Sequence, residues 1–516
     1  MMRAAVLTAA IAAAPSPAPE IPVALELVYQ GHVDAALGRL RALSAARPAD
    51  PLAAYALALA LCWKVEERAE VDTLDREVVA VATDAIGRAD AILDGAPTDV
   101  AALFARGAAH GALSRFHMFR EHRRDAAREA VQMREDLARV RELDPQHHDA
   151  LFGLGLYDYY ADVLPRAAKV VRFLARMPGG DRRRGLASIE AAGARSAFHR
   201  TEARVQLYEI HAFYEDRPDR AMDALDFLRK EYPTHPLWAL KTLEHLRARL
   251  GAYGEAVAAG RAILARSARG EENYKGPWVP ALARLEMGHA LVSDLRPEEA
   301  RPFLLAVVAN GLPGNPGGLT RARFLLGLSL ERAGDRAEAL PHYQSAAAGT
   351  EGEWRERARD AVSSPLPPER VRALAALGNA RRRRDSNRAT EAIAFAGEAL
   401  RLWPQSMEAA LTLVEDRLGR GDAAGARAAW PRADARQVAE TPWLRAWEWL
   451  LEAEADDLEG RRAEAVQQYK KVLQDAYRRA DLRRRAEAGS KAPFSPRPVG
   501  VRFPPRRGIS TALSTT

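Results

Sequence analysis

Apolar and small residues recur at helical spacing along almost the whole chain, in stretches that open with a turn residue. One such stretch runs from Gly31 to Pro48, and within it Ala36, Leu40 and Leu43 follow the glycine. Side chains three or four residues apart share one face of an α-helix, while polar residues occupy the other faces. The pattern predicts an amphipathic helix here, and its repeated returns predict many helices of one design.

A small residue opens the apolar face of each predicted helix. Because a small side chain lets two antiparallel helices approach closely, we expect these positions to mark helix–helix contacts. The ten small anchors are Ala36, Ala85, Gly185, Ala221, Ala256, Ala300, Ala339, Ala392, Ala426 and Ala465. Met133 is an eleventh, poorer match, because its side chain is large.

This recurrence resembles the tetratricopeptide repeat (TPR), a unit of about 34 residues that folds as two antiparallel helices. The resemblance implies an all-α fold, a right-handed α-solenoid of about ten TPR-like helical hairpins with no sheet. The steps between anchors from Ala36 to Gly185 are about fifteen residues longer than this period. We therefore expect enlarged hairpins in the first third of the chain.

The spacing also predicts a division into segments. We expect a first TPR array over residues 20–350 and a second over residues 366–477, separated by the Pro-rich stretch SSPLPPERV. Residues 478–516 are rich in arginine, proline and glycine, which is typical of a basic disordered tail.

A second resemblance covers residues 149–235, which look like the central segment of bacterial TPR proteins and, more distantly, of TTC39/Iml2-type repeat proteins. It implies a helical repeat protein and transfers no catalytic residue to this chain. The residues that carry it are Gly153, Gly155, Leu164, Pro165, Gly180, Asp181, Arg182, Gly185 and Leu186.

The distribution of charge disfavours a nucleic-acid partner. The chain has a net charge of +7, but residues 478–516 alone carry ten basic and two acidic residues, so the preceding body is close to neutral. A basic groove along the helices is therefore not expected, and weak attraction to anions is confined to the tail.

The N-terminal sequence MMRAAVLTAAIAAAPSPAPEIP has one arginine, a short apolar run and an Ala-rich site before prolines. These features predict a signal peptide over residues 1–18 and a periplasmic or otherwise secreted protein, with a cytoplasmic protein as the alternative. No apolar stretch is long enough to predict a membrane span. The single cysteine, Cys62, lies in an apolar helical pattern and is expected to be a buried free thiol.

The sequence contains no established enzyme motif. The stretch RMPGGDRRRGLASIEAAGA could suggest an anion site, but it has no strand before it, so a hairpin corner is the better interpretation. His110, His117 and Glu121 share a predicted helix face, which leaves a metal-dependent enzyme or enzyme accessory as an alternative. We otherwise expect no catalytic residue, no metal and no cofactor.

The leading hypothesis is a non-catalytic scaffold that binds another protein or a peptide. Helical arrays offer long surfaces without a preformed reaction centre. We expect the enlarged region over residues 99–200 to supply the specific contact, although its aromatic residues could equally pack in the core. The candidate partner-binding residues are Tyr157, Tyr159, Tyr160, Arg182, Arg183, Arg184 and His117.

Overall fold

The structure is a computed structural model that describes residues 20–67, 72–163, 178–313, 315–350, 352–386, 388–432, 434, 437–438, 441–475 and 479–496. Within these ranges every regular element is helical, so the predicted all-α class is confirmed. A π-helical turn at Ile210–Tyr214 and a 3-10 turn at Glu272–Tyr274 accompany the α-helices. None of the described helices combines the length and the apolar character that crossing a membrane requires.

The α-helices of the described ranges are, in chain order, α1 (Glu20–Tyr29), α2 (Val33–Ala46), α3 (Pro51–Glu67), α4 (Asp75–Leu93), α5 (Val100–Phe119), α6 (Arg123–Leu143), α7 (Ala150–Val163), α8 (Arg182–Arg195), α9 (Arg200–Glu209), α10 (Pro218–Glu231), α11 (Pro236–Ala248), α12 (Tyr253–Ala268), α13 (Trp278–Ser293), α14 (Pro297–Asn310), α15 (Pro316–Arg332), α16 (Arg336–Ala347), α17 (Gly352–Ser363), α18 (Pro368–Asp385), α19 (Ala389–Leu402), α20 (Met407–Gly419), α21 (Ala423–Ala428), α22 (Trp443–Leu458), α23 (Arg462–Gln474) and α24 (Ala480–Lys491).

Consecutive helices pack in pairs. Short turns, commonly of three residues, join the two helices of a pair, so the helices of such a pair are antiparallel. We refer to the earlier helix of each pair as its first helix. Ten pairs in the described part of the chain pack as hairpins: α1–α2, α3–α4, α5–α6, α7–α8, α11–α12, α13–α14, α15–α16, α18–α19, α20–α21 and α22–α23.

One turn recurs at the end of the first helix. In α15, for example, the amide of Asp335 donates to the carbonyl of Leu330 at 2.9 Å, and the intervening Gly334 has φ 94°. A residue in this left-handed conformation ends a helix while pairing its last free carbonyls. Gly31, Gly421 and Gly460 occupy the same position, so the turn glycines of the sequence pattern have a conformational cause.

The small anchors lie on the second helices, except Ala221 in α10. Nine of the ten are alanines at most 3% exposed. At the tenth, an added Cβ on Gly185 would lie 2.5 Å from the Tyr159 nitrogen. There the backbones of α7 and α8 touch, which glycine alone permits.

The exceptional anchor, Met133, is accommodated by glycines on its neighbours. Its Sδ atom lies 3.0 Å from the position of an added Cβ on Gly111 of α5 and on Gly153 of α7. At this point the large residue lies on the second helix and the glycines lie on the first helices, the reverse of the usual arrangement. The combined volume of the contacting side chains is thereby conserved. The extra length of this hairpin comes from longer helices, since α5 has 20 residues and α6 has 21.

Contacts divide the chain into two compact units. The first unit contains residues 1–210 and 226–235, and the second contains residues 211–225 and 236–516. The first four hairpins belong to the first unit and the other six to the second. The boundary expected from the sequence, at residues 350–366, lies inside the second unit, where the additional helix α17 packs on α16.

The predicted tail begins with a packed helix instead of a disordered segment. In α24, Leu482 is 2% exposed and Ala486 is fully buried against the core that includes α22 and α23. Arg485 pairs with Glu454 at 2.7 Å and also with Glu415. Part of the basic charge of the tail is thus neutralised within the fold. Residues 497–516, like the predicted signal peptide and the predicted Leu164 and Pro165, lie outside the described residues.

Candidate functional site

Two of the predicted partner-binding tyrosines are core residues. Tyr159 is fully buried, and Tyr157 is 7% exposed with its hydroxyl donating to the Pro178 carbonyl at 2.9 Å. Neither ring can therefore meet a partner, and the prediction was wrong for both. Tyr159 lies where α7 and α8 approach closely at Gly185, and Tyr157 belongs to the core that α7 forms with α5 and α6.

The other residues of this group remain at the surface to different degrees. Tyr160 is half-buried, and its hydroxyl donates to the Gln206 side chain at 3.2 Å. Arg184 forms two hydrogen bonds to the buried carboxylate of Asp158, at 2.7 and 2.9 Å, which fastens α8 to α7. Arg182 and Arg183 are exposed at the start of α8. Their role in binding a partner stays a prediction.

The histidines of α5 do not come together as the metal-dependent alternative required. His110 Nδ1 lies 2.7 Å from the Glu129 carboxylate of α6. His117 instead lies near His122 and Asp125, at the turn between α5 and α6. Among the described residues, this is the group of three that could hold a metal ion; it replaces the set of His110, His117 and Glu121.

Three first helices of the first unit, α1, α3 and α5, meet around one buried carboxylate, Glu202 of the following helix α9. It accepts hydrogen bonds from the Trp63 indole at 2.7 Å and from the Tyr29 hydroxyl at 3.0 Å. Arg115 donates to it at 3.0 Å and pairs with Glu66 through two bonds of 2.7 Å. Helices α1, α3, α5 and α9 are thereby tied to a single point.

Aromatic and histidine side chains complete this interior. The Tyr55 hydroxyl lies 2.7 Å from Nε2 of His199, and the Phe198 ring lies 5.6 Å from that of Tyr55. Burial lowers the pKa of His199 below its usual value, so this imidazole is neutral at physiological pH. Burial raises the pKa of the nearby Cys62 to about 12, so its thiol is unreactive. Tyr55, His199 and Glu202 are all buried, so these side chains form a closed interior around the carboxylate.

The second unit leaves a groove on its first-helix face. A cavity of about 330 Å³ lies over α11, α13 and α15. Its lining combines leucines with charged and amide side chains: Leu237, Leu240, Lys241, Glu244, Leu282, Glu286, Asn315, Gly318 and Arg321. Concave surfaces that combine apolar side chains with a few polar groups are typical binding sites, and this groove is more polar than most of them.

Glu286 is the charged centre of this groove. Its carboxylate accepts from Arg247 of α11 at 2.5 Å and from Arg321 of α15. Burial raises the pKa of Glu286, but the two guanidinium groups outweigh that effect and hold the pKa below its usual value. The ionised triad links three consecutive first helices and fixes the floor of the groove.

The rim of the groove is adaptable. Lys241 and Glu244 form an ion pair at 3.4 Å across one turn of α11, with side chains 37% and 40% exposed. Such an exposed pair contributes little stability, so a ligand can compete for either charge at small cost. Asn315 accepts from the Gly318 amide at 2.6 Å and caps α15 beside the cavity.

Sequence reasoning missed this groove. Leu237, Lys241 and Glu244 lie three or four residues apart on α11, so their common face was visible in the sequence. The neighbouring faces of α13 and α15 could not be assigned to it, because no local signal fixes which side chains of separate hairpins meet.

Comparisons with known proteins give little further information. No model of a known protein family matches the sequence, and no curated protein matches it. Among solved structures, the P58(IPK) TPR domain is 16% identical to this chain, with a TM-score of 0.21; the match covers 83% of this chain and 98% of that domain. The structure of Naa15/Naa10 bound to HypK-THB is 12% identical, with a TM-score of 0.20; the match covers 91% of this chain and 78% of the other.

These scores are too low to carry an argument about fold or function. The class of the protein therefore follows from its own helix order and packing: it is an all-α protein built from repeated helical hairpins. The right-handed course of the array stays a prediction.

Proposed function

We propose that this protein is a non-catalytic scaffold that binds a peptide segment of another protein in the groove over α11, α13 and α15. The carrying observation is the cavity of about 330 Å³, which unites apolar side chains and charges of both signs on three consecutive first helices. Fold alone does not assign this function, since one fold serves many roles.

The dimensions of the groove suit a short extended segment. Packed helix axes lie 8–10 Å apart, so three adjacent first helices span roughly 16–20 Å between the outer axes. An extended chain rises about 3.3 Å per residue, so roughly five or six residues cross the groove. We expect an apolar side chain over Leu240 and Leu282, and a charged side chain beside Lys241 or Glu244.

A peptide-display selection against the purified full chain tests the proposal. Selected peptides should bind the wild type and lose at least tenfold in affinity with the double reversal Lys241→Glu, Glu244→Lys. The matched control is Arg220→Glu, Asp223→Arg, which reverses an exposed ion pair of the same spacing on α10. This control should bind as the wild type does.

Two results would refute the assignment of the groove. One is a set of selected peptides that bind the Lys241→Glu, Glu244→Lys variant with unchanged affinity. The other is an equal loss in the control variant, which would indicate a general effect of charge. Circular dichroism must show that both variants keep the helicity of the wild type.

We also propose that the scaffold acts in an exported compartment. The support is the N-terminal sequence, whose short apolar run and Ala-rich site match a signal peptide. Mass spectrometry of the N-terminus in the native host should find a chain that lacks about the first 14 to 18 residues. An intact Met1 in the cytosolic fraction would contradict export.

A further inference from the structure

The turn between α5 and α6 gathers three side chains that can bind a metal ion. The nitrogen and oxygen atoms that His117, His122 and Asp125 could offer all lie within 4.8 Å of one another. The rings of His117 and His122 have centroids 5.9 Å apart and an interplanar angle of 40°. This cluster does not belong to the proposed peptide groove, whose residues are in the other unit.

The backbone explains why residues five positions apart meet here. The amide of His122 donates to the carbonyl of His117 at 2.8 Å, and Glu121 between them has φ 62°. This left-handed residue folds the chain back over the end of α5 and brings His122 to His117. Asp125, in the first turn of α6, then faces both histidines.

The two histidines lack competing partners of their own. Nδ1 of His117 is buried and has no hydrogen-bond partner among the described residues. His122 immediately precedes α6 and is exposed. Its side chain makes no capping hydrogen bond and can therefore rotate.

The charges around the cluster are mixed. Arg128 pairs with Asp125 at 2.9 Å, and a metal ion must displace it. Its side chain is 68% exposed, so the pair is weak and its loss costs little. Arg123 and Arg124 are exposed in the same turn of α6 and raise the local positive charge. A divalent ion therefore needs strong ligands here, which imidazole supplies.

We propose that His117, His122 and Asp125 form a three-ligand site for a first-row transition-metal ion, with Zn²⁺ as the representative ion. Imidazole nitrogen suits zinc, nickel and copper, whereas Mg²⁺ and Ca²⁺ prefer oxygen ligands. With Zn–N distances of about 2.0–2.1 Å, the ligand atoms of a tetrahedral site lie about 3.3 Å apart. Rotation of the exposed His122 side chain and the half-buried Asp125 side chain closes the remaining distance. Three protein ligands leave a fourth position for water.

Titration of the untagged full chain with Zn²⁺ against a chromophoric chelator tests the site. The wild type should bind one ion per chain. His117→Ala and His122→Ala should each lower the affinity at least tenfold, because losing a ligand exceeds the 10–100-fold effect of losing a group behind one. Arg128→Gln should raise the affinity, because it frees Asp125.

The matched control is His110→Ala, on the same helix but bonded to Glu129. It should bind Zn²⁺ as the wild type does. The proposal is overturned if His122→Ala binds with wild-type affinity, or if His110→Ala loses as much as His117→Ala. Because the His122 side chain is exposed and caps nothing, its variant should keep the fold, and the circular dichroism spectrum must show this.

Discussion

The two units use the same hairpins but treat their first-helix faces differently. In the first unit, Glu202 joins Tyr29, 173 residues away, and Trp63, 139 residues away. In the second unit, Glu286 joins Arg247 and Arg321, which are 39 and 35 residues away. The carboxylate that connects distant helices is enclosed among buried side chains, whereas the carboxylate that connects adjacent hairpins borders a cavity.

This difference shows that buried ionic groups can serve two ends in one chain. Around Glu202, donors from α1, α3 and α5 converge, so the charge organises an interior. Glu286 of α13 pairs with Arg247 of the preceding first helix and with Arg321 of the following one. The carboxylate therefore joins adjacent hairpins, and it also borders a cavity. The proposed peptide groove borders the second of these carboxylates, while a contact through the exposed Arg182 and Arg183 of the first unit stays a prediction.

The largest expected effect is that of Glu202→Ala. The change leaves the Tyr29 and Trp63 donors without their carboxylate and removes one of the two carboxylates that bind Arg115. We expect a loss of about 3–5 kcal/mol in the free energy of unfolding of the first unit. Hydrogen exchange should speed up in α1, α3, α5 and α9. The exposed control Glu298→Ala should change stability by less than about 0.5 kcal/mol; a similar loss there would refute this explanation.

Glu286→Ala should cost less, about 3 kcal/mol. It leaves Arg247 and Arg321 without their shared carboxylate, but Arg321 lines the groove, from which water can hydrate it. Denaturant unfolding with hydrogen exchange in α11, α13 and α15 measures the loss. The triple replacement Arg247→Met, Glu286→Leu, Arg321→Met removes all the charges and should recover most of the stability. No recovery would show that the triad is needed for packing as well as for charge.

Acid should weaken the first unit through His235. Burial, with a smaller contribution from His32, lowers the pKa of His235 to about 4. The unfolded chain, with a histidine pKa of about 6.5, then binds the proton first, so stability is full above about pH 6.5 and falls as the pH approaches 4. If His235 were protonated only in the unfolded state, the free energy of unfolding would fall by about 3 kcal/mol. Unfolding measured from pH 7 to 4 should show a shallower loss in His235→Gln, and an unchanged slope would contradict the assignment.

The smallest effects concern the recurring turn. Gly334 of the second unit has φ 94° and open space around it, so Gly334→Ala should cost about 1 kcal/mol through conformation alone. In the first unit, the exposed Glu121 is also left-handed, with φ 62°. Glu121→Gly should therefore raise the free energy of unfolding by about 1 kcal/mol. Thermal unfolding of the two variants gives the comparison. Changes of the same sign would show that the two turns are not equivalent.

The sequence by itself determined the elements and the pairing of neighbours. Ala36, Ala339 and Ala465 marked second helices because a helical period and a small residue at a contact are local properties. Gly31 and Gly334 marked the turns because a positive φ excludes most other residues. The helix α24 was within reach of the same reasoning, since Leu482 and Ala486 lie four residues apart, but the basic composition of the segment concealed them.

The tertiary structure decided what those elements do. The sequence marked Gly185 as a helix contact, but only the structure shows that this contact lies against Tyr159 of α7 and that the Tyr159 ring is buried. His117 meets His122 and Asp125 instead of His110 because the chain reverses at Glu121. Glu202 meets Tyr29 across 173 residues, because the hairpins between them pack around one interior. A contact over such a separation depends on the packing of every intervening pair, so no local pattern in the sequence records it.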